Sequence, residues 1–118
     1  MSWKLNTDRP IYLQLMDNIK FRIISGVYPP GDKLPSVRDL AAEAAVNPNT
    51  MQKALSELED SELIYSNRTS GRFVTEDTDK ILSAKKALAR EYCDEFLDKL
   101  RYLGLSDEEI KTIVNELV

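Results

Sequence analysis

Near the middle of the chain, apolar residues repeat with helical spacing in two short segments separated by a tight turn. Ser36 is placed to cap the first helix, with Asp39 at its third position. Asn47 is placed to cap the second, and Pro48 lies at its first position, where the missing N–H costs no hydrogen bond. The two apolar stripes are Val37, Leu40, Ala41 and Ala44, and Met51, Ala54, Leu55 and Leu58. The pattern predicts a helix-turn-helix.

The second of these helices keeps a polar face near its N-terminal end. Its outward positions carry hydrogen-bonding side chains: Asn49, Gln52, Lys53 and Ser56. Side chains of this kind bind base edges and phosphates. The spacing therefore predicts that this helix reads DNA.

A longer amphipathic helix is predicted before this pair, over residues 10–25. Its apolar residues recur at helical spacing, and Gly26 is placed to end it. Residues 1–7 are predicted to form a short strand or an arm.

After the second short helix the pattern changes from helical to extended. Residues 63–66 and 72–75 predict two short strands, and the segment 67–71 between them holds turn formers and a basic side chain. Three helices followed by a basic hairpin predict a winged helix-turn-helix domain over residues 1–76.

The remaining residues, 77–118, predict a two-helix tail. A long helical pattern runs over 79–103, and Gly104 is placed to end it. Ser106 and Glu109 then form the sequence signature of a capping box at the start of a second helix. The expected fold class is mainly α with a small β-hairpin, a winged helix-turn-helix followed by this tail.

The apolar face of the tail is wider than one short partner helix can cover. We therefore expect the tail to form a homodimer; the alternative is that it folds back on its own winged-helix domain. The predicted dimerisation residues are Leu88, Tyr92, Phe96, Leu100, Leu103, Ile110, Ile113, Val114 and Leu117.

The charge of the chain argues against nonspecific coating of nucleic acid. The net charge of the 118 residues is −4, and most of the acidic excess lies in residues 77–118. Arg38, Lys53 and Arg68 fall in or beside the motif segments, whereas acidic residues gather at the far end of the second short helix. This polarity favours docking on DNA by the N-terminal end of that helix; ordinary solvated surface is the alternative.

Candidate catalytic chemistry is sparse. The chain has no histidine, and its one cysteine, Cys93, lies at an apolar-leaning position that predicts a buried structural thiol. No apolar run approaches a membrane span and no signal peptide is recognisable, so we expect a cytoplasmic protein without cofactor or metal that is not an enzyme.

Three segments of the front domain carry a family resemblance. They read Pro-Ile-Tyr-Leu-Gln-Leu at 10–15, Ser-Gly-Val-Tyr-Pro-Pro-Gly-Asp-Lys-Leu-Pro-Ser-Val-Arg-Asp-Leu-Ala at 25–41 and Asn-Pro-Asn-Thr at 47–50. In order and spacing they resemble the N-terminal pattern of the GntR family of bacterial transcription regulators, and more closely its YtrA-like subfamily. That subfamily has a short two-helix tail, which residues 77–118 resemble.

The resemblance implies that Arg38 and the start of the recognition helix contact double-stranded DNA. The family's wing usually carries Arg-Gly-x-Gly, but here residues 68–71 read Arg-Thr-Ser-Gly, and we expect Arg68 to make the wing's contact. Asn47 and Thr50 have the alternative of only stabilising the helix start. The predicted DNA-binding residues are Ser36, Arg38, Asn47, Asn49, Thr50, Gln52, Lys53, Arg68, Thr69 and Arg72.

The function implied is that of a sequence-specific transcriptional regulator, a repressor that binds a pseudo-palindromic operator as a homodimer. The alternative is a winged-helix protein-interaction module without specific DNA binding. The two helices of the tail can hardly enclose a ligand pocket within one subunit, so a small-molecule effector at the dimer interface stays an open alternative.

Overall fold

Five helices and one β-hairpin make up the part of the chain that the computed structural model describes, residues 3–118. The fold class predicted from the sequence, a winged helix-turn-helix followed by a two-helix tail, is confirmed. The helices are α1 Ile11–Ile24, α2 Val37–Ala44, α3 Pro48–Leu58, α4 Thr78–Tyr102 and α5 Asp107–Leu117, and a 3-10 turn at Glu59–Ser61 follows α3. The strands are β1 Ile64–Asn67 and β2 Gly71–Val74.

The chain divides into two compact units. The first ends at Leu82 and the second spans Ser83–Val118, so the division falls within α4. The boundary predicted between residues 76 and 77 lies shortly before α4 begins, and residues 1 and 2 of the predicted front domain lie outside the described part of the chain.

The helix starts predicted for α2 and α3 are confirmed. The Ser36 hydroxyl accepts a hydrogen bond from the Asp39 N–H at 3.1 Å, and the Asn47 side-chain oxygen accepts one from the Asn49 N–H at 2.7 Å. Each cap satisfies an N–H group that has no partner inside its helix. The two short helices therefore begin at positions fixed by local sequence.

The first unit has an apolar core to which α1, α2, α3 and the hairpin all contribute. Full burial of a large apolar side chain contributes about 1.5–3 kcal/mol of transfer free energy. Because α3 packs on both α1 and α2 through its apolar stripe, its opposite face is left to solvent. The largest fully buried side chains are Leu15, Ile19, Ile23, Leu40, Met51, Leu55, Leu58, Ile64 and Val74.

The hairpin, which we call the wing (residues 64–74), is tied to the segment before α2. Its strands pair antiparallel, with Ile64 opposite Val74. On the other edge of β2, the Leu34 N–H donates to the Arg72 carbonyl at 2.9 Å. The main chain thus connects the wing directly to the residues that lead into α2.

The N-terminal residues form an arm that folds back on α1. The Gln14 amide accepts from the Asn6 N–H at 2.9 Å and donates to the carbonyl oxygens of Asn6 and Arg9 at 2.9 and 2.8 Å. Trp3 is buried, and its ring lies 4.2 Å from the guanidinium carbon of Arg22. Of the two predictions for this segment, residues 3–7 form the arm rather than a strand.

The second unit contains most of α4 and all of α5. Gly104, with φ of +89°, follows the end of α4, in a conformation that side-chain-bearing residues rarely adopt. The predicted capping box is confirmed, because the Ser106 hydroxyl accepts from the Glu109 N–H and the Glu109 carboxylate accepts from the Ser106 N–H.

Much of the apolar face of this unit is open to solvent. Tyr92, Leu103 and Leu117 are 53%, 74% and 73% exposed, whereas Ile110 is buried within the chain. The prediction of a buried thiol at Cys93 is wrong, since Cys93 is exposed. The reason is physical: apolar spacing around Cys93 identifies a face of α4, and this chain covers that face only in part and not at Cys93.

Candidate DNA-binding surface

The exposed face of α3 carries most of the predicted base-reading side chains. Asn49, Gln52 and Lys53 are exposed and Thr50 is half-buried. The Gln52 amide donates to the Ser56 hydroxyl at 3.0 Å, which orders one side of this face. The free N–H groups and the positive dipole end of α3 lie at the same end as Asn49, which suits contact with an anionic groove.

The turn between α2 and α3 fixes how α3 is presented. Ala45 adopts a left-handed conformation with φ of +57°, and the Val46 N–H donates to the Ala41 carbonyl at 3.0 Å. A side-chain-bearing residue in this conformation costs roughly 1–2 kcal/mol. The packing of α2 and α3 on the common core offsets that cost and holds one geometry of the turn.

Arg38 lies in the first turn of α2 with its side chain exposed. Within residues 3–118, its guanidinium takes part in none of the ion pairs. A guanidinium free of carboxylate partners can make a bidentate contact to guanine or to phosphate.

The tip of the wing is a turn over residues 67–70. The Ser70 N–H donates to the Asn67 carbonyl at 3.2 Å, and the Asn67 side-chain oxygen accepts from both the N–H and the hydroxyl of Thr69. Thr69 does not have a positive φ, so this turn does not require a glycine there. Arg68, next to it, is exposed at the tip.

The start of α2 and the wing lie on either side of an open cleft of about 490 Å³. Ser36 lines one side of it and Ser70 the other, with Lys33 also lining the cleft. Arg72 of the wing also lines this cleft, so two predicted contact residues that are far apart in sequence, Ser36 and Arg72, share it.

Arg72 is placed differently from the other predicted contacts. Its guanidinium lies 3.0 Å from the Glu59 carboxylate and 3.3 Å from the Ser56 hydroxyl, and its side chain is mostly buried. It therefore connects β2 to the C-terminal end of α3, and its charge is already paired within the first unit.

Two hydrogen-bond donors stabilise the ionised form of Glu59. The Ser66 hydroxyl and the Arg72 guanidinium hydrogen bond to the carboxylate and lower the pKa of Glu59 below its ordinary value. A depressed pKa means that the contribution of Glu59 to stability is present above its ordinary pKa near 4.5 and is lost as the pH falls through the lower folded value.

Glu59→Gln should lower the free energy of unfolding at pH 7 by about 1 kcal/mol or less, since the pair is partly exposed. The difference from the unaltered chain should shrink as the pH falls below the folded pKa of Glu59. Urea denaturation at a series of pH values measures this. The matched control is Glu57→Gln, because Glu57 forms no ion pair in the described chain. A difference that persists unchanged at low pH would contradict the assignment.

Charge is distributed unevenly along the surface that contains α3. Lys53 lies midway along α3 and Arg38 in the first turn of α2, whereas Glu57, Asp60 and Glu62 lie at the C-terminal end of α3 and in the residues after it. The acidic end would be repelled by phosphates, so the geometry favours approach of DNA at the N-terminal end of α3.

Sequence reasoning missed two residues at this surface. Tyr12 lies in α1 among apolar residues of helical spacing, and its ring lies 4.0 Å from the Lys53 ammonium. Glu59 is one of the acidic residues at the far end of the second short helix, and it also forms an ion pair with Arg72 of the wing. Both contacts join separate elements, and the sequence holds no local signal for them.

Residues 3–118 hold neither a cluster of potential metal ligands nor a helix with the length and apolarity of a membrane span. No group of three or more histidine, cysteine, aspartate or glutamate residues among them is placed to hold a metal ion. None of the helices within residues 3–118 is both long and apolar enough to span a membrane.

Comparison with known proteins identifies relatives that span nearly the whole chain. The family model described as "Bacterial regulatory proteins, gntR family" matches residues 11–74. The chain is 34% identical to the HTH-type transcriptional repressor YtrA of Bacillus subtilis, over 92% of this chain and 84% of that protein.

Two solved structures extend the comparison to three dimensions. A GntR family transcriptional regulator from Listeria monocytogenes superposes with a TM-score of 0.85 at 38% identity, over 95% of this chain and 98% of that one. The DNA-binding domain of AraR, solved in complex with the operator ORR3, matches with a TM-score of 0.53 at 29% identity, over 60% of this chain and 88% of that one.

Proposed function

Because the chain belongs to the GntR family and is a DNA-binding transcriptional regulator, we propose that it represses transcription as a homodimer bound to a pseudo-palindromic operator. The observation that carries the proposal is the capped start of α3, with an exposed hydrogen-bonding face beside it and an Arg38 that forms no ion pair with the other described residues. The name of the repressor YtrA supports repression, and the AraR–operator complex supports an operator as the target. The site of action would be the cytoplasm, where bacterial operator DNA lies.

We assign different roles to the predicted contact residues. Asn49, Gln52 and Arg38 are proposed to contact base edges in the major groove, where amide and guanidinium groups distinguish base pairs. Lys53 is proposed to bind a phosphate and Arg68 to enter the adjacent minor groove.

The remaining predicted residues are proposed to shape the surface. Ser36 and Asn47 cap α2 and α3, Thr50 lines the start of α3, and Thr69 holds the wing turn. Arg72 keeps the wing against α3, so it would act by orienting Arg68.

The tail is proposed to hold two copies together. Tyr92, Leu103 and Leu117 expose large apolar surfaces that a second copy would cover. A two-fold dimer presents two copies of α3 related by symmetry, which requires an operator with inverted half-sites.

Selection of duplexes from a random DNA pool at near-physiological salt tests the proposal. Enrichment of an inverted repeat is the expected result. Absence of any enriched sequence, together with co-purification of a partner protein, would favour the protein-interaction alternative and overturn specific DNA binding.

Lys53→Ala should reduce the salt dependence of operator binding, lowering the slope of log K against log salt by about one unit. The reason is that a lysine bound to phosphate releases a counterion. Fluorescence anisotropy over a salt series measures the slope. Lys86→Ala, which removes an exposed lysine in α4, is the matched control and should leave the slope unchanged. An unaltered slope in Lys53→Ala would show that Lys53 does not neutralise a phosphate.

A further inference from the structure

Lys53 on the exposed face of α3 is not left to move freely in solvent. Its ammonium lies 4.0 Å from the centre of the Tyr12 ring, which is within the distance of a cation–π contact. Tyr12 is the second residue of α1 and is half-buried, so the helix and the core hold its ring in place. Among the ion pairs of residues 3–118, Lys53 takes part in none.

This arrangement fits a lysine that is ordered before it meets its ligand. A free lysine side chain loses up to about 2 kcal/mol of rotamer entropy when it is fixed. Contact with the Tyr12 ring restricts the Lys53 side chain in the unbound protein, so part of this entropy is lost before DNA binds. The face of a ring attracts the ammonium without using all three of its N–H donors, so donors directed away from the ring stay available to a phosphate oxygen.

We propose that Tyr12 is a positioning residue for operator binding: its ring holds the Lys53 ammonium over α3, ready to bind a DNA phosphate. The inference rests on the proposed function and adds a residue of α1 to the DNA-binding machinery. Tyr12 acts through Lys53 and does not itself touch DNA, so its effect should disappear when Lys53 is removed.

The test compares Tyr12→Leu, Tyr12→Phe, Lys53→Ala and the Tyr12→Leu/Lys53→Ala double variant on the operator duplex selected above. Tyr12→Leu should weaken binding about two- to fivefold, the range for an exposed cation–π contact, with the salt slope unchanged. Tyr12→Phe keeps the ring and should bind like the unaltered chain. In the Lys53→Ala background, Tyr12→Leu should cause no further loss.

Two outcomes would overturn the proposal. If Tyr12→Leu lowers operator affinity equally with and without Lys53, Tyr12 acts through packing of α1 instead. If Tyr12→Leu lowers the slope of log K against log salt by about one unit, the phosphate contact itself is lost. Failure of the unaltered chain to bind any operator would instead overturn the proposed function, whatever the Tyr12 variants do.

An NMR measurement on the unaltered chain tests the proposal even if the Tyr12→Leu variant does not fold. A ring below the ammonium should shift the NMR signals of the Lys53 ε-methylene protons upfield. Tyr12→Phe should keep that shift. Ordinary lysine shifts in the folded, unaltered chain would overturn the proposal without any variant.

Discussion

Tyr92→Glu should convert the proposed dimer into a monomer and weaken operator binding by about 100-fold or more. Tyr92 is 53% exposed in the single chain and lies on the apolar face of α4. Dimerisation there would transfer its side chain out of water, and a carboxylate at the same place would lose its hydration without an ionic partner. Linked binding of two half-sites strengthens affinity by about 10²–10⁴-fold, and a monomer loses that gain.

The control for this variant is Ser83→Glu. Ser83 is exposed and lies nine residues before Tyr92, two and a half helical turns away, on the opposite side of α4. The Ser83→Glu variant introduces the same charge as Tyr92→Glu and should leave the dimer intact. Light scattering measures the mass, and anisotropy measures binding to a full operator and to a single half-site.

The half-site measurement separates loss of the dimer from loss of the fold. Binding of Tyr92→Glu to a single half-site should match that of one subunit of the unaltered chain to the same half-site, because the first unit is unchanged. A Tyr92→Glu chain that remains dimeric would place the interface elsewhere and would favour the alternative in which the tail covers its own winged-helix domain.

The elements of the fold were predictable because their signals are local. Ser36 and Asn47 cap helices through bonds to residues two or three positions away, and the capping box of Ser106 closes within one turn. Helical and extended spacing likewise depends on near neighbours. These features need no knowledge of what packs on them.

The contacts that organise the candidate site were not predictable in the same way. Arg72 meets Glu59 only because the wing packs beside the end of α3, and Tyr12 meets Lys53 only because α1 packs on α3. Each pair joins two elements that are distant in sequence. Many other residues would be equally plausible partners for Arg72 or Lys53 on sequence alone. The error at Cys93 has a related cause, since spacing identifies an apolar face but not what covers it.

The local geometry also explains how an acidic chain can bind a polyanion. The net charge of −4 describes the whole chain, but the acids gather at and beyond the C-terminal end of α3, whereas Lys53 lies midway along α3 and Arg38 in the first turn of α2. Phosphates within a Debye length of about 8 Å respond mainly to the nearer charges. We therefore expect charge polarity to favour approach of DNA at the N-terminal end of α3 before any base is read.

Arg38→Ala should weaken binding to the selected operator by about 1–3 kcal/mol and relax the preference at one position of each half-site. Its guanidinium is exposed and has no ion-pair partner among the described residues, so the variant removes the proposed DNA contact without breaking an ion pair of the first unit. Repeating the selection with Arg38→Ala locates the relaxed position.

Two matched variants separate charge from geometry at this position. Arg38→Lys keeps the positive charge but loses the planar bidentate donor, so it should retain the salt slope and lose the base preference. Arg90→Ala removes an exposed arginine of α4 and should change neither. If Arg38→Ala weakens all sequences equally, its contact is with the DNA backbone, and reading of bases would then fall to Asn49 and Gln52 on α3.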